Sequence, residues 1–536
     1  MLTPGARSAA DIGRAYEATL PEQRRRRGAH YTPVEVARAL VARALDVWRG
    51  EGLPTVIDPS CGAGAFLVGA CDELVARGHA PAAALGSVAG IDSDVGAVDA
   101  ARAALAAWAG AHEVDPAHLD DISAVVRPGD GLATSRTGGW DLVVGNPPFG
   151  GQLSNETTRT AAERRRARER WGPAVTGYLD TSALFALAAA GMIAPGGVLA
   201  MVQPRSVLSA RHAVAFRSAI TDGLALREIW LPATQVFEAQ VDVCAIVLTR
   251  GRSRSRVGIT DEPIPSAPVA TVAQSELTAD SWGPALAALR GVPAVADLDA
   301  SGGTVGELAR CTAGFRDEYY ALLAHCCDER PAGAARRLVT SGAIDPLRCW
   351  WGERPIRFGR RSWRSPWLDL DALEQDSPAI ARWVGSLSVP KLIVATQTRS
   401  IEIVVDTVGD LVPITPALAV VPHDATRLSH LAAVLHGPVA AVVAHRRLAG
   451  TGMSPLALRL TAGVVADLPL PVDETAWTEA ASVLGADGLL HFGTLMAAAH
   501  GVDPGVVDEL VAWWARDSTR RVAGDQIDAD RGAVVT

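Results

Sequence analysis

Lysine is almost missing from this 536-residue chain: Lys391 is one of 50 basic residues, and all the others are arginine. A phosphate-binding Walker loop needs a Gly-Lys-Ser/Thr step and the common nuclease core needs an acid-x-Lys step. "SVPKLIV" around Lys391 supplies neither. The seven cysteines show no paired spacing beyond the adjacent Cys326-Cys327, which argues for reduced thiols rather than a disulfide framework or a zinc knuckle. No His/Cys/Asp cluster at metal spacing stands out, so no metal is expected. Long apolar runs are missing too. The longest, Thr181 to Pro204, is broken by Pro195, Gly196 and Gly197, so no transmembrane helix is expected. The first residues lack the apolar segment of a secretory signal, and a cytoplasmic location follows as the expectation. A net charge of -9 speaks weakly against a chain coated in nucleic acid, yet local patches rather than totals decide binding.

What is present is alternation. From about Pro54 to Arg250, short β-branched runs alternate with Ala/Leu-rich stretches, the pattern of a parallel α/β sheet. Seven candidate strands centre near Val56, before Asp92, before Asp130, before Asn146, before Gln203, near Ile229 and near Ile246. The expected domains are an N-terminal helical extension over 1–27, a catalytic domain over 28–255 and a Pro/Ser-rich connecting segment over 256–300. A second domain over 301–473, a helical segment over 474–520 and a loose tail over 521–536 complete the chain.

Ligands of open α/β sheets bind outside the carboxyl ends of the strands, near the point where strand order reverses. Strand one ends in "DPSCGAGAFL", an acid at Asp58 followed by Gly62 and Gly64 in a tight turn that lets a ligand approach the backbone. Asp92, Asp130 and Asn146 end the next three strands, so four polar strand ends fall on one edge. A dinucleotide fingerprint would carry a third glycine where Leu67 stands. Asp58 in front of the glycines suits a cationic or amino-bearing ligand rather than a diphosphate, and an acid such as Asp92 suits a ribose diol. S-adenosylmethionine, with an amino acid, a sulfonium and a ribose, fits such a pocket.

The fourth strand reads "WDLVVGNPPFG". Asn146 offers a side-chain carbonyl and Pro147 a backbone carbonyl, and each precedes a proline that holds it extended. Two acceptors are thus held in fixed directions at the end of this strand.

These stretches, with "GAHYTPVEVARALV", "AGIDSD", "RPGDGL", "DTSALFALAAAGMIAPGGVLAMVQP" and "ATQVFEAQVDVCAIVLT", resemble the amino-group adenine DNA methyltransferases of the gamma arrangement, of restriction-modification or phage-defence type. The resemblance covers about Gly28 to Thr249. It implies a class I S-adenosylmethionine-dependent methyltransferase fold, a Rossmann-like α/β sheet of seven strands, followed by an α+β target-recognition domain. It further implies that Tyr31, Thr32 and Pro33 cover the methionine end of the cofactor and that Asp58 and Ser60 hold its amino acid part. Gly62 and Gly64 would line it, Asp92 would take the ribose, Asp130 the adenine amine, and Asn146 and Pro148 would border the methyl donor. Asn146, Pro147, Pro148 and Phe149 would be catalytic. Phe149 and Phe237 would stack on a base flipped out of duplex DNA, an ordinary core aromatic being the other reading of Phe237.

In the second half, Arg357, Arg360 and Arg361 belong to an arginine run from Arg354 to Arg364 interleaved with Phe358 and Trp363. Phosphate contacts and a solvated basic loop fit it equally. Lys391, Arg399, Arg446 and Arg447 are further candidates for DNA-backbone contacts. The Arg164 to Arg170 run after the catalytic loop fits DNA or, more commonly, a solvated helix face. "CTAGFRDEYYALL" resembles a segment of larger restriction-modification and phage-defence methyltransferases. With about 27 residues before "GAHYTP", no fused nuclease is expected. The expected partners are double-stranded DNA and other subunits of a restriction or defence system, with no membrane. Two alternatives stay open: an RNA or protein-glutamine N-methyltransferase, and a DNA-binding specificity module whose methyltransferase half is degenerate.

Overall fold

The β-branched runs form strands, and the order in which they pair sets the position of the site. The structure, a computed structural model, describes residues 8–19, 32–115, 117, 120–133, 139–150, 161–175, 179–232, 236, 242–251, 255–262, 268–295, 302–314, 319–450, 457–485 and 488–516. The chain divides into two units, Met1–Leu289 and Arg290–Thr536.

The first unit is built on a nine-stranded sheet. Its strands are β1 (Val56–Asp58), β2 (Val88–Asp92), β3 (Val126–Pro128), β4 (Trp140–Gly145), β5 (Ile193–Pro204), β6 (Ala225–Trp230), β7 (Val243–Thr249), β8 (Arg256–Thr260) and β9 (Ala270–Ala273). They lie in the order β3-β2-β1-β4-β5-β7-β6-β8-β9. β1, β2, β3, β4 and β5 run parallel, while β7 is antiparallel to both β5 and β6. The winding reverses between β1 and β4, and this opens a crevice at their carboxyl ends. Both faces are covered, so the central strands read as continuous apolar runs. Val56, Leu142, Val144 and Val198 share one core cluster with helices α1 (Val34–Val47), α2 (Ala65–Ala76) and α3 (Val95–Ala111). The alternate residues Ile57, Val143, Leu199 and Met201 are equally buried, and helix α4 (Thr181–Met192) packs against β5.

Two expectations need correction. The sheet has nine strands rather than seven, because β8 pairs parallel with β6 and β9 antiparallel with β8. Residues 256–289, expected within a connecting segment, therefore belong to the first unit. Val257 and Ile259 alternate into its core, each 0% exposed, and long-range pairing outweighs the turn-rich composition around them.

The second unit holds two four-stranded sheets. One orders Ala309–Ala313, Ala417–Pro422, Lys391–Ala395 and Ile403–Asp406, all antiparallel. The other orders Cys326–Cys327, Trp367–Asp369, Ala335–Val339 and Leu411–Pro413. Helices Leu428–His436, Pro438–Leu448, Glu474–Ser482 and Leu489–Ala499 pack together, with Trp514 and Phe492 buried around His436. No single helix among the described residues is long and apolar enough to cross a membrane.

Candidate active site

Four strand ends come together around the β1/β4 crevice. β1 delivers Asp58, which is 1% exposed and accepts hydrogen bonds from the Ser60 N–H (2.9 Å) and hydroxyl (3.3 Å). The chain then turns through Gly62 and Gly64, at φ +52° and +86°, into α2. Only glycine takes such angles without strain. Gly62 donates its N–H to Asp92 at the end of β2 (2.9 Å), and Asp94 N–H donates to the same carboxylate (2.9 Å). The turn after β3 closes against β1: a Cβ on Gly131 would overlap the Pro59 carbonyl oxygen. Asp130 is exposed beside it and accepts the Leu132 N–H (2.9 Å). At the end of β4, Gly145 leaves room for Asp58, since a Cβ there would stand 2.7 Å from Asp58 Oδ1.

Burial, more than anything else, pushes the Asp58 carboxyl up to about 7, and the nearby Asp92 charge adds to the rise, while the bonds from Ser60 oppose it. Burial likewise raises Asp92. A buried and a half-buried acid beside a glycine turn form an electronegative recess that favours a cationic group.

Asn146 follows Gly145. Its Nδ2 donates to Thr32 Oγ1 (3.0 Å), the hydroxyl at the start of α1. Its Oδ1 is buried and has no hydrogen-bond partner among the described residues. A buried, unpaired carbonyl is costly unless something else occupies its lone pairs. Pro147 is buried, Pro148 is half-buried, and Phe149 is half-buried with its ring against the core cluster of α1, α2 and α3.

Sequence reasoning missed what holds this loop from behind. Gly150 N–H donates to Asp180 Oδ2 (3.2 Å), and Thr181 N–H donates back to the Gly150 carbonyl (3.3 Å). Asp180 caps α4 through the Ser182 N–H (2.9 Å) and hydroxyl (2.7 Å). Gln203, 0% exposed at the end of β5, donates to the carbonyls of Ser182 (3.1 Å) and Val202 (2.9 Å). "DTS" ahead of an apolar run signals a helix cap. Nothing local signals that the cap reaches Gly150, 30 residues back.

Direct hydrogen bonds thus pair Thr32 with Asn146, Ser60 with Asp58 and Gly62 with Asp92, and Pro33 stands at the N-cap of α1 next to Thr32. Tyr31 and Phe237 lie outside the described residues. In the second unit one expectation fails outright. Lys391 is 0% exposed and bonds to Asp406 (2.5 Å), so it offers nothing to a phosphate. The two are register partners on adjacent strands, and Asp406 also accepts the N–H groups of Gly409 (2.9 Å) and Leu411 (2.9 Å). Arg446 is half-buried and donates to the Pro293 carbonyl (3.0 Å). Arg447 is exposed and donates to the Asp467 carbonyl (3.0 Å), while Arg399 is exposed. Arg357, Arg360 and Arg361 are exposed on a hairpin, whereas Phe358 and Trp363 are buried beneath it.

The chain matches the family described as N-6 DNA Methylase over residues 7–279. No curated protein matches it by sequence. Among solved structures it is similar to the type IIL restriction-modification enzyme MmeI in complex with DNA, at 14% identity and a TM-score of 0.56, over 96% of this chain and 82% of that one. It is also similar to the type IIG restriction endonuclease BpuSI, at 12% identity and a TM-score of 0.48, over 95% of this chain and 68% of that one. A third is a type I restriction-modification methyltransferase subunit from Streptococcus thermophilus, at 20% identity and a TM-score of 0.36, over 48% and 53%. At 14% identity the likeness to the first of these speaks to the fold alone.

Proposed function

Because the chain belongs to the N-6 DNA methylase family, whose members are adenine-specific DNA methyltransferases, we propose that it methylates N6 of an adenine flipped out of duplex DNA at a particular sequence, in a restriction-modification or phage-defence system. The observation that carries this reading is the buried Oδ1 of Asn146 at the end of β4, which has no hydrogen-bond partner among the described residues. One N6 hydrogen goes to this oxygen and the other to the backbone carbonyl of Pro147. Both bonds draw the nitrogen toward tetrahedral geometry and free its lone pair for in-line attack. Thr32 fixes the amide, Pro147 and Pro148 fix the backbone, and Asp180 holds the loop at Gly150. The half-buried ring of Phe149 offers a stacking face worth roughly 1 to 3 kcal/mol toward the cost of unstacking the base.

The recess suits S-adenosylmethionine, which supplies an electrophilic methyl group when bound. Asp58 and Asp92 would hold its ammonium and ribose, the glycine turn would admit its backbone contacts, and Asp130 would meet its adenine. Catalysis would then come from positioning and electrostatics. The second unit would carry the DNA recognition surface. The test is transfer of labelled methyl from the cofactor to duplex DNA, RNA and protein in competition. Label appearing in RNA or protein and not in duplex DNA would overturn the proposal.

A pH dependence follows from Asp58. Its carboxyl is pushed up to about 7 chiefly by burial, so below that pH the free protein holds it neutral, while an ammonium pairs with the ionised form. Cofactor affinity is expected to fall about tenfold per unit as pH drops below 7 and to level off above it. Binding at pH 6 should release a proton, measurable by calorimetry in buffers of different ionisation heat. Asp58→Asn should bind weakly at every pH with no proton release, and a flat profile for the parent protein would contradict the assignment.

A further inference from the structure

The arginine run in the second unit is not uniform. Arg354, its first member, is engaged: it pairs with Asp345 (3.1 Å) and lies over the Trp350 ring (4.8 Å). The next three stand on a hairpin of Ile356–Phe358 with Arg361–Trp363, closed by two residues, Gly359 and Arg360. Both have φ of +60°, the geometry of a tight hairpin turn whose second position strongly favours glycine. Here the glycine comes first, and the left-handed second position is filled by an exposed arginine.

The base of the hairpin is packed into the core. Phe358 and Trp363 stack at 5.2 Å and 14°, and both are buried in the core of the unit. Trp363 Nε1 donates to the Phe358 carbonyl (3.2 Å). Gly359 cannot be exchanged with its neighbour unless Leu323 shifts, because a Cβ there would stand 2.5 Å from a methyl of that side chain. Arg357 points to the outward face opposite Ser362, and Arg361 lies over the Trp363 ring (4.5 Å). Arg357, Arg360, Arg361 and Arg364 are all exposed, and none pairs with a carboxylate among the described residues.

A disfavoured backbone held by packed surroundings, with an unpaired guanidinium at its tip, points from geometry to function. We propose that this hairpin enters a groove of the substrate duplex, where Arg360 reads a base edge and Arg357 and Arg361 contact flanking phosphates. An arginine fork matches the two acceptors of guanine in the major groove, and a two-stranded ribbon fits that groove's width. The proposal rests on the reading of the chain as a DNA methyltransferase and adds the residue that sets its sequence preference.

Arg360→Gly separates structure from recognition, because glycine prefers the backbone angle that arginine tolerates. The melting temperature of this variant should stay level or rise. Modified-base sequencing of genomic duplex DNA treated with it should show relaxed preference at one base position, by roughly ten- to a hundredfold. Arg357→Gln should instead weaken DNA binding alike at all sequences and lower the salt slope by about one. If the parent protein methylates duplex DNA and Arg360→Gly keeps the same base preference, the assignment of Arg360 falls alone. If the parent transfers no methyl group to duplex DNA, the underlying reading falls with it.

Discussion

Replacing Asn146 by alanine is expected to slow methyl transfer about 10²- to 10³-fold while cofactor binding is retained. The size follows from comparison with other sites in which one preorganised hydrogen-bonding group meets charge that develops in the transition state. Here the group is an acceptor, and the charge is the partial positive charge growing on N6 as it attacks. Oδ1 is already buried and has no partner among the described residues, so no described hydrogen bond has to break before its use. The bond it makes is stronger in the transition state than with the resting amine, and such an interaction acts on kcat rather than on KM. Thr32→Val gives the graded control. It keeps the amide and removes the hydroxyl that orients it (3.0 Å), so a smaller loss, about tenfold, is expected. Single-turnover transfer to duplex DNA with saturating cofactor reads both variants. An Asn146→Ala protein as active as its parent would exclude the proposed chemistry.

The site was legible in the sequence where its signal is local. Asp58 with Gly62 and Gly64, Asp92, and Asn146 before two prolines each end a β-branched run, and the sheet order carries them to one crevice. What was not legible depends on contacts distant in sequence. The support of Gly150 comes from Asp180, and only the pairing of β4 with β5 brings them together. Lys391 was misjudged by residue type. It heads "KLIVA", a strand buried at every position, and its carboxylate partner stands 15 residues on, opposite it in the register. The strands β8 and β9 were hidden by the Ser/Pro-rich segments beside them, since β-propensity records packing opportunity more than backbone preference.

A second large effect is expected from Arg217→Met, a loss of about 3 kcal/mol in the stability of the first unit. Arg217 is 0% exposed and makes no ion pair among the described residues. Its guanidinium fans out to four carbonyls instead: Val207 (2.7 Å), Ala210 (3.2 Å), Ala279 (2.7 Å) and Asp280 (2.6 Å). Burial pulls its pKa down to about 10, so the carbonyls offset only part of the cost of desolvating the cation. Removing that cation therefore returns some free energy. The balance is decided by what remains: acceptors with no donor, each worth about 1 to 3 kcal/mol when buried, with Asp280 at the exposed edge able to reach water. Methionine matches the aliphatic stem and donates nothing. Arg217→Lys keeps the charge, but its ammonium cannot span the same fan, and about half the loss is expected. The clamp joins the turns after β5 to the segment after β9, where Trp282 N–H also donates to the Leu208 carbonyl (2.6 Å). Hydrogen exchange should therefore quicken at 206–210 and 279–283 before it changes elsewhere in the sheet. An unchanged denaturant midpoint for Arg217→Met, with unchanged exchange in those two segments, would show that the carbonyls find donors without it.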